Sequence, residues 1–336
     1  MKPKLRVLVV DDSEVCRDVL REIIEAEGDM MVVGEAEDGE HAVERVATLQ
    51  PDVVTLDVEM PRVDGLRAVE RIMAQSPVPI LVVTAKAANR GATAFEAVRR
   101  GALDLVAKPA HGKDAEAGAL RRTIRLLASV PVMKHVSGSR IAIARPAPIR
   151  AQVRIVGIGA SAGGPSAIAA VLSKVPRDFV PCIAIVQHVL AGFADAFSDF
   201  LRAHASLPVH VVRKPVPLAS GVFIAPDDAH LRARGDTLEP FAAPPVDGHR
   251  PSADVLFESL ATVHGSRALG IVLSGMGKDG TRGLAAMRRA GAETIAQDSS
   301  AAIDGMPRSA RESGAASRVL PVADIADALV RATRRT

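Results

Sequence analysis

Short apolar runs alternate with helix-period segments along most of this chain, and a single break at residues 131–152 divides the alternation into two series. A short run with no polar alternation suits a strand that is covered on both faces. In the first series the runs fall at residues 5–10, 31–34, 53–56, 80–83 and 103–107. Between them apolar positions take helical spacing, as at Val15, Val19, Leu20, Ile23 and Ile24, and again over residues 39–49. Five strands separated by helices predict a five-stranded parallel sheet with helices on both faces. The second series has runs at 154–158, 182–186, 209–212, 268–273 and 293–296, with helices expected over 164–175, 193–204, 256–263, 280–290 and 325–332. Residues 221–225 and 231–238 read as hairpin material. The break carries Ser137-Gly138-Ser139, Arg145-Pro146 and Pro148, which are linker signals. We therefore expect one α/β domain over 1–130, a linker over 131–152, and a second, doubly wound α/β domain with a mostly parallel sheet over 153–336. A chain of 336 residues also exceeds what one hydrophobic core usually serves.

Composition narrows the function. With eight Phe and neither Trp nor Tyr, the cores are built from Ala, Val, Leu and Ile, and base stacking on aromatic platforms has little to work with. Residues 1–130 hold 18 basic and 22 acidic side chains; the remainder holds 24 and 17, a mild basic excess. No basic recognition helix follows the linker, so no nucleic-acid partner is expected. Cys16 and Cys182 fall in different domains and read as buried free thiols of a reducing compartment. No stretch reaches membrane-span length and no signal segment opens the chain, so the expected location is cytoplasmic, without direct membrane insertion.

The strand ends of the first series carry chemistry. The first strand ends in Asp11-Asp12, the third in Asp57, the fourth in Thr84 and the fifth in Lys108-Pro109. Carboxylates clustered on one sheet edge repel one another unless a hard cation sits among them, and Mg²⁺ suits such an all-oxygen site. Asp11, Asp12 and Asp57 are then the metal ligands and Asp57 the phosphoryl acceptor. Lys108 neutralises the transferring group and Thr84 hydrogen-bonds the phosphate once formed. With Val10-Asp11-Asp12-Ser13, the block Leu56-Asp57-Val58-Glu59-Met60-Pro61-Arg62-Val63-Asp64-Gly65, and Lys108-Pro109, residues 4–127 resemble the receiver domain of bacterial response regulators. The resemblance implies a flavodoxin-like strand order, phosphotransfer from a histidine kinase and a cis Lys108–Pro109 bond. Where that family often has an aromatic switch residue, this chain has Leu105.

The second series opens on Gly157-Ile158-Gly159-Ala160-Ser161-Ala162-Gly163-Gly164, which can be read in two ways. Gly157-x-Gly159-x-x-Ala162 fits a loose dinucleotide fingerprint, and Gly159-x-Ser161-x-Gly163 fits a nucleophile elbow. A dinucleotide site wants an acidic residue after the next strand; that strand ends instead in Gln187-His188, the chemistry of a general base. A carboxylate, Asp279, follows the strand at 268–273 in a glycine-rich loop, with Asp227, Asp228, Asp247 and Asp298 as rivals. The elbow is therefore favoured, with Ser161 as nucleophile, His188 as base and Asp279 as its orienting partner. The backbone N–H groups of Ala162 and Met276 are candidates for the oxyanion hole.

These residues, with Gly221-Val222-Phe223-Ile224-Ala225-Pro226, His230-Leu231, Arg250-Pro251-Ser252, Gly275-Met276-Gly277, Ala296-Gln297-Asp298 and Gly305-Met306-Pro307, resemble the catalytic domain of the chemotaxis protein-glutamate methylesterase family. The resemblance implies hydrolysis of γ-glutamyl methyl esters on methyl-accepting chemoreceptors and deamidation of selected glutamines. It also implies no cofactor in the esterase domain, and a receiver that blocks the Ser161 cleft until Asp57 is phosphorylated. The chain departs from the family at Ala162, where Thr is usual, and at Val189-Leu190, where Met-Pro is usual. The alternative is a response regulator whose output domain binds a partner without catalysis.

Overall fold

The computed structural model describes residues 3–60, 65–85, 91–109, 114–130 and 153–333. Two compact units divide between Ala144 and Arg145. The linker expected over 131–152 lies outside the described residues.

The first unit alternates β1 (Leu5–Val10), α1 (Glu14–Glu25), β2 (Met30–Ala36), α2 (Gly39–Leu49), β3 (Val53–Leu56), α3 (Gly65–Gln75), β4 (Ile80–Thr84), α4 (Gly91–Arg99), β5 (Asp104–Ala107) and α5 (Asp114–Leu127). Its sheet is parallel throughout in the order β2-β1-β3-β4-β5, the flavodoxin-like order. Val7, Leu8, Val53, Val54 and Ile80 to Val82 are fully buried, as strands covered on both faces require. Caps set the helix starts: Ser13 accepts from the Cys16 N–H and Asp38 from the His41 N–H. Gln50, left-handed at φ 46°, ends α2 before Pro51.

The second unit comprises β6 (Ile155–Ala160), α6 (Gly164–Leu172), β7 (Cys182–Gln187), α7 (Ala194–Arg202), β8 (Val209–Val211), β9 (Val216–Pro217), β10 (Gly221–Ile224), β11 (His230–Arg234) and β12 (Thr237–Phe241). It continues through α8 (Ala253–Val263), β13 (Ala268–Val272), α9 (Thr281–Arg289), β14 (Glu293–Gln297), α10 (Gly305–Glu312), β15 (Arg318–Leu320) and α11 (Val322–Thr333). Seven strands form one parallel sheet, β15-β14-β13-β6-β7-β10-β8. The chain builds outward from β6 through β7, then returns to lay β13 on the other side of β6. The order therefore reverses between β6 and β13, where open α/β sheets bind their ligands.

One expectation is corrected. Residues 221–225 are not hairpin material: β10 is a parallel strand between β7 and β8. Val222, Phe223 and Ile224 are all buried, and an unbroken apolar run marks a strand covered on both faces. The hairpin is β11–β12, antiparallel, with β9 beside β12 in a separate small sheet.

Helix α8 lies against β6 because two glycines let it approach. A Cβ on Gly157 would come within 2.7 Å of Leu260 Cδ1, and one on Gly159 within 2.7 Å of Ala253 Cβ. The glycines that suggested a dinucleotide loop are thus occupied with helix packing. Among the described residues no helix is long and apolar enough to cross a membrane. Both cysteines are free; Cys182 is buried as expected, whereas Cys16 is only half-buried.

Candidate active site and phosphoacceptor pocket

In the first unit, parallel pairing brings the ends of β1, β3, β4 and β5 to one edge. The Asp57 N–H bonds the Val10 carbonyl at 2.9 Å and the Lys108 N–H bonds the Thr84 carbonyl at 2.7 Å, so all four strand ends are backbone-locked. Lys108 Nζ lies 2.6 Å from Asp11 Oδ2 and 2.6 Å from Asp57 Oδ2. Asp11 and Asp57 are buried, and Asp12 is exposed at the rim. Ligand oxygens of Asp11, Asp12 and Asp57 all lie within 4.8 Å of one another. Three carboxylates against one ammonium leave net negative charge in an all-oxygen pocket, which fits a hard divalent cation. Burial pushes the Asp11 carboxyl above its ordinary range, against the pull of Lys108. Burial alone would lower the Lys108 ammonium, but its bonds to Asp11 and Asp57 hold it above the usual lysine value. The Thr84 hydroxyl is buried with no partner among the described residues, a donor in reserve beside Asp57's strand. Leu105 is buried where an aromatic residue was noted as missing. The expected cis bond at Lys108–Pro109 is not found; the cis X–Pro bond among the described residues is Arg250–Pro251, and a tertiary amide makes either isomer accessible at such positions.

In the second unit, the turn after β6 is held from beneath. The Ser161 N–H donates to the Ser274 carbonyl (3.0 Å), and Gly163 takes φ +70°, which lets α6 start immediately. Ser274 Oγ donates to the Ala162 carbonyl (2.8 Å) and accepts from the Ile303 N–H (2.9 Å), tying the elbow to the next loop. Gln187 Nε2 donates both to the Ser161 carbonyl (2.7 Å) and to the His188 carbonyl (3.0 Å), so one side chain sets the spacing of the two backbones. Gly275 lies directly against the serine: a Cβ there would come within 3.0 Å of Ser161 Cβ.

His188 Nε2 lies 2.9 Å from Asp279 Oδ2. Because an ionised carboxylate only accepts, the imidazole hydrogen is assigned to Nε2 and Nδ1 carries the lone pair. Nδ1 is buried without a partner among the described residues. The Ser161 hydroxyl is half-buried and hydrogen-bonds no described residue; the structure joins base to carboxylate and leaves base and nucleophile unjoined. Such bonds are often long before substrate binds.

Asp279 is buried and accepts four hydrogen bonds besides that of His188. They come from Ser252 Oγ (2.7 Å), Ala253 N (2.7 Å), Asp254 N (3.1 Å) and its neighbour Gly280 N (3.0 Å). Burial would raise its pKa; the bond and charge of His188, the Ala253 N–H and the Ser252 hydroxyl outweigh it and hold the carboxyl well below the usual range. The rival carboxylates are otherwise engaged or exposed. Asp227 caps α7 through the Ala194 N–H and Asp298 holds the Ser300 N–H, whereas Asp228 and Asp247 face solvent. The N–H groups of Ala162 and Met276 donate to no acceptor among the described residues. Three contributors had no role assigned from sequence. Ser252 and His230, whose Nδ1 accepts from the Ser252 N–H at 3.2 Å, stood only inside quoted blocks; His249, stacked on His188, carried no signal at all.

Comparisons with known proteins place both units in known families. Residues 156–329 match the CheB methylesterase family and residues 7–117 the response regulator receiver domain. A protein-glutamate methylesterase/protein-glutamine glutaminase of Anaeromyxobacter dehalogenans is 45% identical over 335 residues, covering 98% of this chain and 97% of that one. A protein of the same name from Bordetella pertussis is 39% identical, covering 97% of each chain. Among solved structures, the Thermotoga maritima CheB methylesterase catalytic domain is 30% identical with a TM-score of 0.51, covering 54% of this chain and 99% of that domain.

Proposed function

We propose, from the premise that this chain belongs to the CheB methylesterase family and carries its receiver domain, that Ser161, His188 and Asp279 hydrolyse glutamyl methyl esters under control of Asp57. The enzyme is a protein-glutamate methylesterase and protein-glutamine glutaminase. His188 Nδ1 takes the Ser161 proton as Oγ attacks the ester carbonyl, and Asp279 stabilises the imidazolium through Nε2. The N–H groups of Ala162 and Met276 receive the oxyanion, each lowering the barrier by about 2.7–4 kcal/mol as measured for such donors. The proton passes to the leaving methoxide, methanol departs, and water hydrolyses the acyl-serine by the same route. With a glutamine side chain the leaving group is ammonia, and the rest is unchanged. No step calls on a cofactor in this domain.

Asp11, Asp12 and Asp57 are the residues that hold Mg²⁺, which when bound supplies charge neutralisation for the transferring phosphoryl group. Asp57 accepts that group from a histidine kinase, with Lys108 and the Thr84 hydroxyl on its oxygens. The substrates are the cytoplasmic helices of methyl-accepting chemoreceptors, so the enzyme works in the cytoplasm with no nucleic-acid partner and no insertion into the membrane. A domain boundary within 131–152 separates switch from enzyme.

The observation that carries this reading is the His188–Asp279 bond, which leaves Nδ1 as the basic nitrogen after the β6 elbow has presented Ser161. The test is methanol release from methylated receptors, with and without acetyl phosphate and Mg²⁺, on wild type and Ser161→Ala. We expect release to rise with phosphorylation and to vanish in the variant. Release that survives Ser161→Ala would refute the assignment.

A further inference from the structure

A residue outside the triad touches the base along its full face. The His249 ring lies 4.0 Å from the His188 ring, centroid to centroid, with only 7° between the planes. It hangs from a two-residue turn that Val246 and His249 close with reciprocal N–H to carbonyl bonds of 3.0 and 2.9 Å. Asp247 (φ 48°) and Gly248 (φ 85°) are both left-handed, as the tightest hairpin turns require.

We propose that His249 is a positioning residue for the base: its ring, laid flat on His188, holds the plane in which Nδ1 meets Ser161. The inference rests on the catalytic reading above. The Asp279 bond fixes Nε2 as a point, but the imidazole can still tilt about the Nε2 to Oδ2 line. A parallel ring removes that tilt and keeps water off one face. A small misalignment of the proton acceptor is costly to rate, which gives the stack its catalytic weight. The stack also favours the charged state of the cycle, since an aromatic face attracts the imidazolium that forms as Ser161 attacks. Burial, and next the charge of His188, hold the His249 pKa below the ordinary histidine value, so the facing ring is neutral when His188 becomes charged.

The test uses the full chain with acetyl phosphate and Mg²⁺, following methanol release from membranes carrying methylated receptors. An aromatic pair of this kind corresponds to a factor of about two to thirteen, so His249→Ala should lose about that much kcat with KM within about twofold. His249→Phe keeps a flat ring and should return to within about twofold of wild type. Should His249→Ala not fold, His249→Gln, polar and without a ring, makes the same comparison. An unaltered kcat without the ring, an equal loss in His249→Phe, or a loss confined to KM would overturn the proposal. Release surviving Ser161→Ala in the same assay would instead end the catalytic reading itself.

Discussion

Replacing Asp279 by Asn keeps its size and removes one acceptor, and the structure dictates how the damage distributes. Oδ1 receives Ser252 Oγ, Asp254 N and Gly280 N, while Oδ2 receives Ala253 N and His188 Nε2. An amide has one oxygen, so its NH₂ must replace one of the two. At the Oδ1 position it would confront three donors. At the Oδ2 position it confronts two, and His188 can relieve one by turning Nε2 into an acceptor. The relaxed arrangement orphans the Ala253 N–H and moves the imidazole hydrogen to Nδ1, the atom that must be bare to take the Ser161 proton. A buried unpaired N–H costs about 1–3 kcal/mol of stability. The inverted tautomer lowers kcat by about 10⁴ in serine proteases with this triad. Methanol release and urea unfolding read the two effects separately. A kcat loss under about tenfold, or an unchanged unfolding midpoint, would refute the reasoning.

The same substitution has a signature in pH. The folded-state pKa of Asp279 lies below its ordinary value of 3.8, so its ionised form contributes stability above that pH and the contribution fades as pH falls below it. The stability gap between wild type and Asp279→Asn should therefore narrow on acidification from about pH 5 to about pH 2. A gap that widens would show that the carboxylate is not the stabilising species.

Two further outcomes are expected. In Gly164→Ala the new Cβ would overlap Gln187 Oε1 and come within 2.8 Å of Ala160 Cβ, prising out the side chain that spaces Ser161 and His188; melting and kinetics should show a loss of about 1–3 kcal/mol and a kcat loss of about tenfold or more. In Lys108→Met two buried carboxylates lose their ammonium, so the receiver should lose about 3–5 kcal/mol in unfolding experiments without Mg²⁺ and regain part of it on adding the ion, whereas no Mg²⁺ effect would argue against the three-aspartate site.

What was legible in the sequence follows from what is encoded locally. Unbroken apolar runs ending in Asp11, Asp57, Thr84, Ser161 and His188 identify strand tips directly, because in a parallel sheet the tips converge whatever the strand order. Asp279 was legible by its loop, although it stands well beyond the end of β13. Residues 221–225 look like hairpin material beside 231–238 because a short apolar run carries no mark of whether its neighbours are parallel or antiparallel. The short β15 and the helix α10 gave too little pattern to be expected. His249, Ser252 and His230 illustrate the deeper limit. His249 lies on His188, Ser252 donates to Asp279 and His230 accepts from the Ser252 N–H, each across the fold, and nothing in their neighbours' spacing states which distant group they meet.

The placement of Asp279 joins the enzyme's stability to its chemistry. Ser252 occupies the N-cap of α8, yet its side chain does not cap the helix; it donates to Asp279 instead. The capping acceptor is the Asp279 carboxylate, which takes the N–H groups of Ala253 and Asp254 at the positive end of the helix dipole. That same helix is pressed onto β6 through Gly157 and Gly159, and β6 carries Ser161 at its tip. One helix therefore fixes the height of the nucleophile's strand along its flank and the position of the carboxylate at its start. The two halves of the triad are not equivalent as targets: Ser161→Ala removes a hydroxyl that bonds no described residue, while Asp279 cannot be altered without uncapping α8. Loss of activity at undiminished stability should thus be obtainable at Ser161 and not at Asp279.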